Sequence, residues 1–261
     1  MTITSPHNQK LKEIRKLQTR RRNREHSHRF VAEGEDLLSA ADAAGWVPVE
    51  RFAAAGSGLP GIEVDHELLA SASGLASGTR TLAVYEERWA PQPRGPLCVY
   101  LHGVHDPGNV GTILRSAEAF NASCVAIGPG SADPYSPKAV RASMGAIFSV
   151  PVARADATGA GIAELPGTTI ALEAGAGEPL HELWRSASPP AKRKATVRGG
   201  APEAAGEGLT LLIGSERDGL PQAIADAADR TAHIPITTHS LNAAMAATVA
   251  LYEVTTMARA R

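Results

Sequence analysis

Three short segments gather the residue types that can do chemistry. The first runs from His102 to Phe120, HGVHDPGNVGTILRSAEAF, directly after the apolar run Leu97 to Leu101. Asp106, Pro107 and Gly108 read as a turn, Asn109 as a helix cap, and Val110, Leu114 and Ala117 as the inward stripe of that helix. Arg115 falls on another face, above Gly111 and Thr112. A guanidinium there can hold a phosphate or stabilise an oxyanion, or it can pair with Glu118 on the surface. The second segment, Leu211 to Pro221 or LLIGSERDGLP, again joins an apolar run to a turn. Gly214 permits close backbone approach by a ligand, and Glu216 can accept hydrogen bonds, orient a base or cap the next helix. The third, Ile234 to Glu253 or IPITTHSLNAAMAATVALYE, places Ser240 as the cap of a long alanine-rich helix. Along that helix Leu241, Met245, Thr248 and Tyr252 form a packing stripe.

Several chemistries lack their residues. A glycine-opened helix start suits a phosphate, yet neither GxGxxG nor the GxxxxGK loop of triphosphate sites occurs. The two cysteines, Cys98 and Cys124, each lie inside an apolar run with no CxxC, and they read as buried thiols. His102 and His105 alone are too few ligands for zinc, so no metal is expected.

The elements that must position these segments follow from apolar patterning. Leu97 to Leu101, Cys124 to Ile127, Thr169 to Leu172, Leu209 to Ile213 and His233 to Ile236 are continuous rather than alternating runs, separated by helical stretches. Strands buried on both faces have this composition, which predicts a parallel sheet with helices on both sides and ligands at the strands' carboxyl ends. Upstream, Phe30 and Val31, a helix over 36–44, Trp46 to Val49, Ile62 to Val64, a helical stretch over 67–70 and Thr81 to Tyr85 predict a small α/β unit over residues 1–89. The segment 90–96, rich in proline, predicts a linker to a domain over 97–261. Residues 186–208 have no apolar periodicity and predict a mobile insertion, which either brushes RNA through Lys192, Arg193, Lys194 and Arg198 or merely aids solubility.

Hydrophobic residues at 43% and charged residues at 20% exclude a disordered, collagenous or coiled-coil chain. No apolar run is long enough for a membrane span, and MTITSPHNQKLKEIRK lacks the apolar segment of a secretory signal, so a cytoplasmic protein without membrane contact is expected. The net charge of -1 conceals an asymmetry: residues 1–30 carry nine Lys/Arg against Glu13 and Glu25, leaving +7 there and -8 in the rest. Such a patch calls for a polyanion, RNA or DNA, with Arg20, Arg21, Arg22 and Arg24 as contacts. The alternative is the solvated side of a helix whose inner face is Leu11, Ile14 and Leu17. Arg141 in KAVRAS has the same two readings.

In their order along the chain, DPGNVGTILRSAEAF, IGSERDGLP and IPITTHSLNAAMAATVALYE resemble the signature motifs of the SpoU/TrmH family of SPOUT RNA 2′-O-ribose methyltransferases. SPKAVRASMGAIFSVPV, residues 136–152, is also similar to that family, and the resemblance covers much of 97–261. Residues 1–89 are similar, more loosely, to the small substrate-binding domain that many members carry. The stretch between Ile236 and Ser240 is shorter than is common in the family, and Ala243-Ala244 stands where members often have Val-Ser.

The resemblance implies an α/β fold: a trefoil-knotted, parallel-sheet SPOUT methyltransferase domain preceded by a small α/β substrate-binding domain. It implies S-adenosyl-L-methionine as cofactor, held in a bent form with Gly214, Ile234, Ile236 and Leu241 at the pocket. It implies Asn109, Arg115, Glu216, Ser240 and Asn242 as the catalytic set, and a homodimer through the C-terminal domain. The function it implies is 2′-O-ribose methylation of RNA, with large-subunit ribosomal RNA expected ahead of transfer RNA. A non-catalytic RNA-binding assembly factor of the same fold is the alternative. A conventional Rossmann-type methyltransferase is opposed by the missing glycine fingerprint.

Overall fold

The computed structural model describes residues 2–75, 77–155, 159–183 and 208–259. Of the expected mobile insertion, 186–207 lies outside the described residues. The chain forms two compact units that interleave in sequence. One comprises Met1–Arg88, Asp106–Arg115 and Ala132–Ser149, and the other Trp89–His105, Ser116–Ser131 and Val150–Arg261.

The first unit opens with α1 (Gln9–Thr19) and α2 (Arg21–Ser27), then β1 (Arg29–Glu33), α3 (Glu35–Ala43), β2 (Glu50–Ala54), β3 (Ile62–Val64), α4 (His66–Ala72) and β4 (Thr81–Glu86). Its sheet has the order β1-β4-β2-β3, with β4 antiparallel to both neighbours and β3 parallel to β2. Asn8 caps α1 by accepting from the Lys10 N–H at 2.9 Å. The stripe Leu11, Ile14 and Leu17 is buried against Phe52, Val64, Leu69 and Leu82, each such side chain contributing about 1.5–3 kcal/mol of apolar transfer.

The strand expected at Trp46 to Val49 does not form. Val47 is exposed, the strand begins at Glu50, and the buried Trp46 donates from Nε1 to the Phe148 carbonyl at 2.8 Å. Phe30, Trp46, Tyr85, Tyr135 and Phe148 stack with centroids 4.8–6.2 Å apart. These ring contacts tie 132–149 to this unit rather than to its sequence neighbours. Two further helices contribute to it: α5 (Pro107–Ala119), through its residues up to Arg115, and α6 (Pro137–Ala142), which packs on β1.

The second unit contains β5 (Trp89–Ala90), β6 (Leu97–Leu101), β7 (Cys124–Ile127), β8 (Val152–Arg154), β9 (Thr168–Leu172), β10 (Glu178–Pro179), β11 (Leu209–Ile213) and β12 (Arg230–His233). Its helices are α7 (Gly159–Ile162), α8 (Gln222–Ala227) and α9 (Ala243–Arg259). The order is β10-β12-β9-β11-β6-β7-β8-β5, and every pairing is parallel. All residues of β6 and β11 are buried, as continuous apolar runs require. The expected linker starts inside a strand, since Trp89 and Ala90 pair with Val152 and Ala153.

The strand expected at His233 to Ile236 ends instead at His233. Pro235 has no N–H to give a ladder, so the apolar residues that follow leave the sheet. Cys98 and Cys124 are register partners and buried free thiols, and contact with Cys124 together with burial pushes the Cys98 thiol up. The last turn of α5 belongs to this unit, where Ser116 Oγ and Thr248 Oγ1 lie 2.6 Å apart. Among the described residues, no helix is long and apolar enough to cross a membrane, and no group of three or more His, Cys, Asp or Glu side chains could hold a metal ion.

Candidate active site

The turn after β11 closes on itself. Ser215 and Gly219 exchange backbone hydrogen bonds of 3.1 Å, and Ser215 Oγ accepts from the Asp218 N–H at 3.0 Å. A Cβ at Gly214 would lie 2.2 Å from the Gly219 carbonyl carbon and 2.4 Å from the Leu220 nitrogen. The room that glycine leaves is thus filled by the loop's own backbone, not held open for a ligand. Gly219 supplies the left-handed corner at φ 65°. Glu216 sits half-buried within this turn.

At the neighbouring strand ends lies a recess of about 910 Å³, lined by Ala174 and Gly175 after β9 and by 233–239 after β12. That is a ligand-sized volume. Ile234 and Ile236 supply its apolar lining, so two of the four expected cofactor positions line one cavity; Gly214 and Leu241 are not among its lining residues. Beside it, β9 and β12 run in register, Leu172 against Ala232, and the Glu173 N–H donates to the Ala232 carbonyl at 3.0 Å.

Two polar atoms here are buried and have no hydrogen-bond partner among the described residues: Glu173 Oε1 and His233 Nδ1. Burial raises the Glu173 carboxyl above its usual range, and the Leu220 backbone N–H partly offsets this. Sequence reading missed both residues, because a lone Glu and a lone His in LEAGAG and AHIPI match no motif.

The segment before α9 differs from expectation in its cap. Asn242 Oδ1, not Ser240, accepts from the Ala244 and Met245 N–H groups, at 2.9 and 3.3 Å. Asn242 thereby fixes the entry to α9, while Ser240 is exposed and Leu241 half-buried. A similar shift occurs in α5, whose first turn is capped by Asp106 rather than Asn109. Asp106 Oδ1 accepts from the Gly108 N–H and from Lys138 Nζ, both at 2.7 Å, and these contacts hold its carboxyl below the usual range. Pro107 at the first helical position needs no partner for a missing N–H. Asn109 lies half-buried in that first turn. A Cβ at Gly111 would lie 2.3 Å from the Ala139 carbonyl oxygen, so α5 and α6 meet there backbone to backbone.

Arg115 is exposed, and its guanidinium has neither an ion pair nor a hydrogen bond among the described residues. The alternative pairing with Glu118 is not formed. The five expected catalytic residues divide between the units: Asn109 and Arg115 belong to the first, and Glu216, Ser240 and Asn242 to the second.

The expected RNA contacts also separate. Arg20, Arg21 and Arg22 are exposed, with Arg21 paired to Glu25 at 2.8 Å. Lys12, Lys16, Arg20 and Arg22 remain exposed without an ion pair among the described residues. Arg24 must be removed from this set, being only 5% exposed. Its Nε and NH2 each meet Asp133 Oδ2 at 2.9 Å and its NH1 donates to the Leu17 carbonyl at 2.7 Å, which leaves no face for a phosphate. Asp133 is far away in sequence, so no local pattern reveals the pair. Arg141 is the partly exposed member of a cluster around the buried Glu33: its NH1 lies 3.5 Å from Glu33 Oε1, which also accepts from Gln18 Nε2 at 2.6 Å and from the Gly74 N–H at 3.1 Å.

Residues 96–252 match the SpoU rRNA Methylase family, and residues 8–87 match an MRM3-like substrate binding domain. The chain is 26% identical over 278 aligned residues to the 23S rRNA (guanosine(2553)-2′-O)-methyltransferase RlmP of Bacillus subtilis, covering 96% of this chain and 97% of that protein. It is 36% identical over 153 residues to the 23S rRNA (uridine(2479)-2′-O)-methyltransferase of Streptomyces viridochromogenes, covering 56% of this chain and 48% of the relative. Among solved structures, the AdoMet-bound rRNA methyltransferase from Sinorhizobium meliloti is similar with a TM-score of 0.79 and 27% identity, over 97% of this chain and 96% of that one.

Proposed function

Since the chain belongs to the SpoU rRNA methylase family, we propose that it methylates ribose 2′-hydroxyls of large-subunit ribosomal RNA. It is an S-adenosyl-L-methionine-dependent RNA 2′-O-methyltransferase, the class to which the named relatives belong. The observation that carries the reading is the recess at the ends of β9 and β12, which lies within the matched span and has Ile234 and Ile236 in its wall. Its size and apolar lining suit an adenosyl group, and the two orphaned polar atoms beside it suit a ligand with its own hydroxyls or amines. The residues present therefore fit the cofactor.

Bound there, S-adenosylmethionine supplies a methyl group activated by a sulfonium leaving group. The protein's task is first to align the ribose oxygen with that carbon, and positioning of this kind is the larger share of such catalysis. Arg115 binds the target phosphate and stabilises the alkoxide that develops as the 2′-hydroxyl gives up its proton to water. A guanidinium remains protonated at any working pH, so Arg115 acts as a charge and not as a neutral base. Asn109 and Ser240 orient the ribose, Asn242 holds the turn into α9, and Glu216 acts from the closed turn after β11. The parallel-sheet unit forms a trefoil knot, and two copies associate through α9, whose Met245 and Tyr252 are exposed. Lys12, Lys16, Arg20, Arg21 and Arg22 hold the RNA backbone, in the cytoplasm.

Incubation with labelled S-adenosylmethionine and separate pools of unmodified ribosomal and transfer RNA, followed by nucleoside mass spectrometry, tests this. A 2′-O-methylated nucleoside from the large ribosomal RNA is expected. Label confined to transfer RNA overturns the substrate, and a base-methylated product overturns the chemistry.

A further inference from the structure

Glu173 and His233 are the two side chains beside the recess whose polar atoms are buried with nothing to bond to among the described residues. Resting on the methyltransferase reading, we propose that they hold the ribose diol of the cofactor. The backbone brings them together. They follow the register pair Leu172–Ala232 on adjacent parallel strands, so they stand side by side and on one face. His233 is part of the recess wall, and Glu173 directly precedes the wall residues Ala174 and Gly175.

The Glu173 carboxylate lies over the closed turn after β11: a Cβ on Gly219 would be 3.6 Å from its Oε2 and 3.9 Å from its Oε1. Both are ordinary van der Waals separations, so the carboxylate rests against this turn, whose corner at Gly219 takes the left-handed φ of 65°. Desolvation of a carboxyl oxygen without a donor is costly, and a ligand donor reaching Oε1 from the adjoining recess would offset that cost.

The chemistry of the two atoms selects the group. An ionised carboxylate only accepts, so it requires an O–H or N–H. An imidazole nitrogen donates or accepts according to tautomer, so it serves a hydroxyl in either sense. A vicinal diol presents two hydroxyls, each able to do both, and matches such a pair. An ammonium offers donors only and makes no use of a donating imidazole N–H, whereas a diol serves either tautomer. The flat apolar adenine is better served by Ile234 and Ile236 on the same wall, which leaves the polar pair to the sugar. A carboxylate on ribose hydroxyls beside a glycine turn at a strand's carboxyl end is also the solution of other nucleotide-binding sheets, reached here without their glycine fingerprint.

Calorimetric titration of the full chain with S-adenosylhomocysteine and with its 2′,3′-dideoxy analogue tests the assignment. Glu173→Ala is expected to weaken S-adenosylhomocysteine by about 10- to 100-fold, the range for a hydrogen bond to a charged group, and His233→Ala by less. The wild type should bind the dideoxy analogue at least as weakly as Glu173→Ala binds S-adenosylhomocysteine, because the analogue also forgoes His233, and Glu173→Ala should weaken the analogue no further. Glu173→Gln, which keeps the side chain's shape, guards against a folding defect and should show a smaller loss of the same pattern. A loss that persists with the dideoxy analogue assigns Glu173 to the adenine or the amino acid and overturns the proposal, as does unchanged affinity in Glu173→Ala. Failure of the wild type to bind S-adenosylhomocysteine at all overturns the methyltransferase reading beneath it.

Discussion

Arg24 in the first unit is buried and Glu173 in the second is half-buried with one oxygen out of reach of water, and the protein treats these two ionisable side chains in opposite ways. Arg24 is saturated: Asp133 and the Leu17 carbonyl take its guanidinium nitrogens. Glu173 keeps a buried oxygen with no partner among the described residues, beside an imidazole nitrogen in the same condition. A satisfied buried charge holds a fold together. An unsatisfied one at the mouth of a recess marks where a ligand completes the bonding. The difference separates residues that carry stability from residues that carry binding, although both look alike as charges in a sequence.

Removing one member of the satisfied pair should give the largest effect. Arg24→Ala is expected to cost about 3–5 kcal/mol in urea unfolding, because Asp133 is left buried and uncompensated. Replacing both partners with apolar residues of similar size should recover most of that loss. A stable Arg24→Ala protein with weakened RNA binding would break the comparison by returning Arg24 to the RNA surface.

Arg115 is the opposite extreme, exposed and without an ion pair among the described residues. Arg115→Ala should lower kcat/KM by about 100- to 1000-fold, the loss typical of one oxyanion-stabilising donor, with the unfolding midpoint unchanged. Full activity in that variant removes the proposed role.

Glu173 gives a smaller, pH-dependent effect. Burial raises its carboxyl above the value in the unfolded chain, and this contribution to stability is present below the unfolded value and lost as pH rises through the raised one. Ribose hydroxyls favour the ionised form, so S-adenosylhomocysteine binding should release a proton and tighten as pH rises through that range. Glu173→Gln should flatten the profile. The smallest effects belong to the exposed basic residues: Arg20→Ala and Arg22→Ala should each reduce the slope of log affinity against log salt by about one, uniformly across RNA sequences.

How much of this is legible in the sequence depends on whether the physical cause is local. β6, β7 and β11 coincide with the apolar runs that announce them, since a strand buried on both faces needs no partner to reveal its composition. The stripe Leu11, Ile14 and Leu17 is legible for the same reason. The last run misleads because its apolar residues line the recess, and Pro235 ends the ladder before they can join it. Asp106 and Asn242 take capping roles that the reading gave to Asn109 and Ser240, a matter of one or two residues that turn geometry decides. The tie of Arg24 to Asp133, the aromatic stack of Trp46 with Phe148 and the neighbouring orphans Glu173 and His233 are long-range facts. No window of sequence contains them.

If the recess formed by the ends of β9 and β12 is the cofactor site, ligand binding must protect its walls. Hydrogen exchange read by mass spectrometry, with and without S-adenosylhomocysteine, tests it most directly. Slowed exchange is expected in 172–175, 214–220 and 233–242, with little change in the first unit's sheet. Binding with protection confined to other segments would contradict it.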